Sequence, residues 1–269
     1  MKKLFFMGFA LLLCAMWPAD AAAQLKIGGR KLNTGKLLEA GKDVAKAVTL
    51  SDKDIAQLSC EAVEWMDANN PIADETTEYG ARLKRLTEGI TEINGLPLNF
   101  KVYHVVDVNA FACGDGSIRV FSALMDLMDD DELMAIIGHE IGHVVHADVK
   151  HAMKNAYLSS ATRNAAGAAE GSTLAKLSDS QLGEVVTAFT GAQFSQKQEY
   201  EADEYGFEFS VKNGFSPYVM GNSLNKLVEL SKGAKSSTVQ KMFSSHPDSE
   251  KRAARMKEKA DAYVAAHQQ

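Results

Sequence analysis

The amino-acid sequence predicts a mostly helical α+β protein with one small antiparallel sheet. Apolar residues recur at helical spacing in residues 52–68, three short β-rich runs follow between residues 100 and 124, and helical spacing then returns. The chain has 269 residues, of which 46% are hydrophobic and 24% are charged. This composition is typical of a globular protein, and the length allows a sizeable core.

Residues 1–23 have the features of a signal peptide. Two lysines precede an apolar run that is too short to span a bilayer comfortably, and a group of alanines offers a cleavage site. We expect cleavage after Ala23 and an exported protein in the periplasm of a Gram-negative bacterium. Cys14 leaves a lipoprotein anchor as the less favoured alternative, because Leu13 stands where a small residue is expected.

The rest of the chain is predicted to form a short arm, residues 24–50, and one domain, residues 51–269. Ser51 suits the start of a first helix, and a second helix is expected over residues 73–93. Three strands then form the predicted sheet: FKVYHVV (100–106), VNAFACG (108–114) and SIRVFSAL (117–124).

Helices dominate the second half of the sequence. A long helix is predicted from Met125 to about Lys154, and acidic residues near its start suit the helix dipole. Residues 156–180 are rich in Ala, Gly and Ser and are interpreted as a loose connection. Further helices are expected over residues 181–212, 217–232 and 247–266.

Charge and cysteine content narrow the class of protein. The net charge of −6 disfavours nucleic acid as a partner, because phosphate binding requires a basic face. Two cysteines remain after the predicted signal peptide, Cys60 and Cys113. An even pair in an exported chain favours a disulfide, and two buried thiols are the alternative.

The segment HEIGH, residues 139–143, has the spacing of a metal site. On a helix, His139 and His143 lie about one turn apart on the same face, where two imidazoles can bind one zinc ion. Glu140 lies within reach of a water molecule on that ion and can accept its proton during attack on a carbonyl. Apolar neighbours place the motif in the core, where polar groups without partners would be costly.

Two further histidines follow the motif, His146 and His151. His146 lies roughly 300° around the helix from His143, and His151 lies about two turns further along. We therefore interpret both as partly exposed helix residues rather than metal ligands.

A third ligand is expected from a glutamate on a second helix, because catalytic zinc usually has three protein ligands. A ligand imidazole is commonly oriented by another carboxylate, which on that helix would stand four residues after the glutamate. Among the glutamates after the motif, only Glu199 has such an aspartate, Asp203. We assign Glu199 to the metal and expect Asp203 to accept from His139; an acidic, solvated helix face is the alternative.

Four blocks of the sequence form a recognisable set: DVNAFACGDGSIRVFSALMDLM (107–128), DDELMAIIGHEIGHVVHAD (130–148), EYEADEYGFEF (199–209) and HPDSEKR (246–252). Together they resemble one family of zinc metallopeptidases, which includes HtpX, the CAAX prenyl proteases, the mitochondrial Oma-type proteases and LoiP-like periplasmic enzymes. The absence of later apolar spans fits the LoiP-like members. The resemblance implies a zincin fold of the gluzincin type with an HExxH helix.

The resemblance also implies a set of site residues. One zinc ion per chain would be bound by the two motif histidines and Glu199, with Glu140 as the catalytic base. An edge strand beside the cleft would bind an extended substrate through backbone hydrogen bonds. The residues of that strand are Asn109, Ala110, Phe111 and Ala112. One departure from the family pattern is Asp148, where many relatives have histidine.

Roles near the scissile bond are implied for His246 and Arg252. From the residues alone, His246 stands at a helix start before Pro247 and could be only a neighbour of the cap. The functional interpretation is that His246 or Arg252 stabilises the tetrahedral oxyanion. A further hypothesis is that His246 occupies the open zinc position and holds the enzyme latent.

Together these features predict an exported zinc endopeptidase that cleaves unfolded or damaged envelope proteins. Its partners would be polypeptide substrates, including membrane-associated envelope proteins, and not nucleic acid. The alternative is a chaperone-like module that binds extended peptides and has a structural zinc site. That site would need a fourth protein ligand, for which His246 is the plausible donor.

Overall fold

The computed structural model describes residues 26–27, 30–31, 50–164, 177–233, 242 and 244–267. The predicted signal peptide, Cys14 and most of the predicted arm lie outside the described residues. In the described part of the chain, every helix is too short or too polar to cross a lipid bilayer.

Helices make up most of the described chain, as predicted. In chain order they are α1 Asp52–Asn69, α2 Glu78–Thr87, α3 Ser122–Leu127, α4 Asp130–Val145, α5 Asp148–Asn164, α6 Asp179–Thr190, α7 Gln196–Lys212, α8 Val219–Gly233 and α9 Ser249–His267. The strands are β1 Lys26–Ile27, β2 Arg30–Lys31, β3 Ile72–Ala73, β4 Glu92–Ile93, β5 Leu96–Pro97, β6 Asn99–Tyr103, β7 Ala110–Ala112 and β8 Ser117–Phe121.

Four of these strands form a mixed sheet in the order β3-β6-β8-β7. β6 and β8 are parallel, with Val102 opposite Val120, whereas β3 and β7 pair antiparallel with their neighbours. The prediction of an antiparallel sheet is therefore wrong for the central pair. After β6 the chain first forms β7 and then turns back through residues 113–116, so β8 enters between them and runs parallel to β6. β7 lies at the edge of the sheet among the described strands.

Helix α1 begins where the sequence predicted, at a capping box formed by Ser51 and Asp54. The predicted helix over residues 73–93 is much shorter, spanning only α2. Asp74 accepts hydrogen bonds from Thr76 and forms a turn before the helix, and Thr77 caps α2. After α2, Gly89 has a φ of 85°, which a helix cannot continue through.

The long helix predicted around the motif is three helices, α3, α4 and α5. A capping box of Asp129 and Glu132 starts α4, and Ala147 ends it with a φ of 61°. Residues 156–164 continue α5, so the loose connection predicted there is wrong; residues 165–176 lie outside the described residues. The helix predicted over residues 181–212 is two, α6 and α7, while α8 and α9 lie within about two residues of their predicted bounds.

Helix α4 packs most extensively against α7, and two glycines allow their backbones to come close. A Cβ on Gly142 would lie 3.0 Å from the Cα of Ala202 on α7. A Cβ on Gly206 would lie 3.1 Å from both the carbonyl oxygen of Ala135 and the backbone nitrogen of His139. This close crossing brings the first turns of α7 against the motif face of α4.

The two cysteines predicted to pair are both free thiols. Cys113 is fully buried in a core cluster with Leu58, whereas Cys60 is exposed on the other face of α1. Successive residues of a helix point in different directions, so Cys60 projects away from the core that contains Cys113.

Candidate active site

The motif residues of α4 lie together in the core. His139, Glu140 and His143 are each at most 3% exposed. The Nε2 atoms of His139 and His143 are 3.1 Å apart, and the two rings meet edge to face. The one-turn spacing of the sequence motif therefore places both imidazoles on one side of the helix, with Glu140 beside them.

Helix α7 brings Glu199 to the two imidazoles. Ser195 caps α7, so Glu199 lies in its first turn and is fully buried. Its Oε1 is 3.5 Å from His143 Nε2, and its Oε2 is 3.7 Å from His139 Nε2. The structure thus brings together all three residues that the sequence analysis assigned to the metal.

A fourth potential ligand, His246, lies just before α9. Its Nδ1 is 2.9 Å from Glu199 Oε1 and 3.5 Å from His139 Nε2. One ligand atom from each of His139, His143, Glu199 and His246 can be chosen so that all lie within 4.8 Å of one another. Because His246 is also buried, it is part of the site and not only a neighbour of the helix cap.

Two carboxylates contact the Nδ1 atoms of the motif imidazoles, which are the ring nitrogens that face away from the cluster. His139 Nδ1 lies 3.0 Å from Asp203 Oδ1, the residue named for this position by the sequence analysis. His143 Nδ1 lies 2.9 Å from Asp148 Oδ2, an interaction that the sequence analysis missed. Asp148 stands five residues after His143 and would not face it on a continuous helix, so helical spacing carries no signal for this contact.

These contacts fit the site to a metal cation. With each Nδ1 donating to a carboxylate, the Nε2 atom of each ring presents a lone pair to the interior of the site once Nε2 has lost its proton, as metal binding requires. Two such lone pairs 3.1 Å apart, with the Glu199 carboxylate next to them, form a converging set of donor atoms. Imidazole and carboxylate donors in this arrangement suit a divalent transition-metal ion.

Arg252 lies behind the carboxylates. Its Nε and one terminal nitrogen donate to Asp203 at 2.8 Å and 2.6 Å, and its other terminal nitrogen forms an ion pair with Glu199 Oε2. The guanidinium is only 2% exposed. The structure therefore places Arg252 as a partner of both acidic residues, while His246 faces the cleft.

The ionisable groups of the site shift one another's pKa values. Burial opposes ionisation of Glu199, but His246 and His143 hold its pKa well below the usual range. Burial alone would lower the pKa of His143, yet its hydrogen bonds to Asp148 and Glu199 raise that pKa to about 9. Burial dominates at His139 and lowers its pKa, although the hydrogen bond to Asp203 opposes this shift.

An apolar cleft opens beside these residues and the edge strand β7. Glu140 Oε1 has no hydrogen-bond partner in the part of the chain that the structure describes, and the same holds for Asn109 Oδ1. Both residues line the cleft, together with the rest of the predicted substrate strand. The full lining of the cleft is Asn109, Ala110, Phe111, Ala112, Glu140, Phe189, Thr190, Ala192, Phe194, Ser245 and His246.

The two histidines that follow the motif, His146 and His151, are exposed and lie outside the cluster of potential metal ligands.

A helix with two histidines and a glutamate, completed by a glutamate from a second helix, defines a zincin-like metalloprotease domain. Residues 79–260 match peptidase family M48, and the chain belongs to that family. The family resemblance drawn from the four sequence blocks is thereby confirmed, and the chain is a metalloendopeptidase.

Similar proteins carry the same activity in their names. Metalloprotease LoiP of Escherichia coli K12 is 40% identical over 249 residues, which cover 92% of this chain and 97% of that protein. Metalloprotease YcaL of the same organism is 36% identical over 229 residues, covering 85% of this chain and 88% of that protein. The beta-barrel assembly-enhancing protease of the same organism is 30% identical over 175 residues, covering 61% of this chain and 35% of that protein.

Proposed function

We propose that this metalloendopeptidase uses one zinc ion to cleave unfolded or damaged proteins of the bacterial envelope. One observation carries the proposal: the cluster of His139, His143 and Glu199 lies next to Glu140, which lines the cleft and whose Oε1 has no hydrogen-bond partner among the described residues. The predicted signal peptide supports action in the periplasm, and a relative named for enhancing β-barrel assembly supports an envelope role.

The choice of zinc rests on the donor atoms. Two neutral imidazoles and one carboxylate suit zinc, whereas Mg²⁺ and Ca²⁺ prefer oxygen ligands. A bound zinc ion would polarise the scissile carbonyl and lower the pKa of the attacking water to about 7. Asp203 and Asp148 keep both Nδ1 atoms protonated, which leaves both Nε2 atoms free to bind the ion.

The side chains of the cleft would carry the proton and the developing charge. Glu140 would accept the proton of the attacking water and deliver it to the leaving amine. His246 lies in the same cleft, with Nε2 3.8 Å from Glu140 Oε1, and would donate to the tetrahedral oxyanion. Arg252 would act indirectly, by holding Glu199 and Asp203 in place.

An extended polypeptide fits the edge of the sheet. The outer backbone groups of β7 can pair with a substrate strand, and the buried Asn109 Oδ1 can accept from a substrate N–H. Phe111, Phe189 and Phe194 line the cleft and suit an apolar side chain. Folded clients keep such strands and side chains inside, so unfolded chains are the expected substrates.

Zinc dependence tests the proposed chemistry. Cleavage of casein should fall to background after treatment with a chelator and return on addition of one equivalent of zinc per chain. The same amount of Mg²⁺ should not restore it, because the ligand set contains two imidazole nitrogens. If zinc binds and stabilises the protein but no cleavage follows, His246 completes a structural site and the binding-module alternative is correct.

The substrate class can be tested by capture in the cell. The Glu140→Gln variant should retain the metal and the substrate strand, so clients should remain bound and co-purify from the periplasm. We expect envelope proteins to be enriched relative to the same preparation from a His139→Ala, Glu140→Gln double variant, which cannot hold the metal. A captured set without envelope proteins would rule out the envelope role while leaving the peptidase activity intact.

A further inference from the structure

We infer that Asp148 and Gln198 act as a pair that positions His143 for the metal and joins the start of helix α7 to the start of helix α5. The inference rests on the proposed function, because it assigns the two residues to the zinc site. Its motivation is a continuous chain of hydrogen bonds from the capping box of α7 to the ring of His143.

The first link joins Asp148 to the imidazole. Asp148 is 5% exposed, and its Oδ2 accepts from His143 Nδ1 at 2.9 Å. This bond requires the Nδ1–H tautomer and therefore directs the Nε2 lone pair to the metal position. Asp203 makes the equivalent contact with His139, so each motif histidine has its own carboxylate.

The second link joins Asp148 to α7. Gln198 Nε2 donates to Asp148 Oδ1 at 2.7 Å, so both oxygens of this carboxylate are engaged. The other end of the Gln198 amide is also used, because Oε1 accepts from the backbone N–H of Ser195 at 2.9 Å and from its hydroxyl at 2.8 Å. Gln198 thus closes the capping box of the helix that carries Glu199 and simultaneously holds the carboxylate behind His143.

The backbone at the end of α4 makes the first link geometrically accessible. Ala147 has a φ of 61°, a left-handed conformation that is unfavourable for a residue other than glycine. Without this turn, Asp148 would continue along the helix and point away from His143. Unfavourable backbone conformations persist where the surroundings require them, and here the result is a carboxylate placed under a motif imidazole.

The short segment of residues 194–198, which contains Gln198, also covers one face of the His143 ring. Phe194 stacks on His143 with ring centroids 4.0 Å apart and an interplanar angle of 17°. Residues 194–198 therefore fix both the tilt of the imidazole, through Phe194, and its rotation, through Gln198 and Asp148. A ligand whose orientation is fixed before binding loses less entropy when the metal arrives.

Substitution of Gln198 by Glu separates the two roles of this side chain. Glutamate is a normal partner in a capping box, so helix α7 should start as before. It cannot donate to Asp148 when ionised, and it adds a negative charge beside that carboxylate. A matched control exists at the start of α6, where Gln181 forms the same capping box with Ser178.

The experiment compares zinc affinity, measured by competition with a chelator, in the wild type, Gln198→Glu and Gln181→Glu. We expect Gln198→Glu to bind zinc about 10–100-fold more weakly and Gln181→Glu to bind it as the wild type does. Thermal unfolding of the metal-free proteins should differ little among the three. A second pair, Gln198→Leu and Gln181→Leu, removes the donor without adding a charge and should reproduce the difference.

Wild-type zinc affinity in both Gln198 variants would overturn the positioning role. Equal losses in the Gln198 and Gln181 variants would also overturn it, because they would trace the effect to helix capping alone. Failure of the proposed function has a different signature: the wild-type chain itself would bind no zinc, or would bind it without cleaving a polypeptide.

Discussion

Replacing Glu140 by Gln is expected to lower kcat for casein cleavage by about 10²–10⁴-fold while leaving zinc content and KM almost unchanged. The substitution keeps the shape of a side chain that is 2% exposed, but it removes the only proton acceptor that the mechanism uses. Atomic spectroscopy measures the zinc content, and steady-state cleavage kinetics measure kcat and KM.

Glu201→Gln provides the control, because Glu201 lies on the more exposed side of α7 and takes no part in the cluster. It should cleave casein at the wild-type rate. A fully zinc-loaded Glu140→Gln variant that also cleaved at that rate would exclude Glu140 as the base. Loss of cleavage with complete retention of activity in an aggregation-suppression assay would instead favour a separate chaperone-like function.

Replacing Arg252 by Met is expected to lower the free energy of unfolding of the metal-free protein by about 3–5 kcal/mol. Arg252 pairs with Asp203 and Glu199, and all three side chains are at most 2% exposed. Without the guanidinium, two buried carboxylates remain close together with reduced compensation, and leaving a buried charge unpaired is costly. Urea denaturation monitored by circular dichroism measures the difference.

Lys257→Met on the same helix is the matched control. Lys257 forms an exposed ion pair with Asp261, and its loss should change stability little because solvent screens such pairs. The comparison also separates two roles for Arg252. A stable, zinc-loaded Arg252→Met variant with a much lower kcat would indicate that the guanidinium contacts the reacting groups and would contradict the role assigned to it here.

The parts of the site that the sequence predicted are those set by helical geometry. His139 and His143 are four residues apart on α4, and Glu199 and Asp203 are four residues apart on α7. A spacing of 3.6 residues per turn puts each pair on one face, whatever the rest of the fold does. Glu199 could therefore be chosen as the candidate ligand from its neighbour four positions later, without knowledge of how the helices pack.

The parts that the sequence did not predict depend on breaks in regular structure. The turn at Ala147 brings Asp148 under His143, and the segment between α6 and α7 places Phe194 on the same ring. Both features lie inside stretches that helical periodicity predicts to be continuous. Alanine is a strong helix former, so its left-handed conformation at residue 147 reflects tertiary contacts that override local preference.

The order of the strands in the sheet also could not be predicted from local sequence pattern. The predicted strands exist, but alternation of apolar and polar residues cannot tell which strand lies between which others. Pairing of β6 with β8 depends on the path of the connecting chain, which carries β7 to the edge. Local pattern therefore predicted the elements of the sheet, while its mixed topology required the three-dimensional structure.

The site also joins segments that are far apart along the chain. His139 contacts His246 across 107 residues, and Glu199 contacts His246 across 47. Closing such loops is among the later and slower steps of folding, since the entropy of the chain must be overcome before these contacts form. A chain in which these segments have not yet met consequently has no assembled cluster of His139, Glu199 and His246. An unfolded copy of the chain therefore cannot itself hydrolyse a peptide bond until these distant segments have come together.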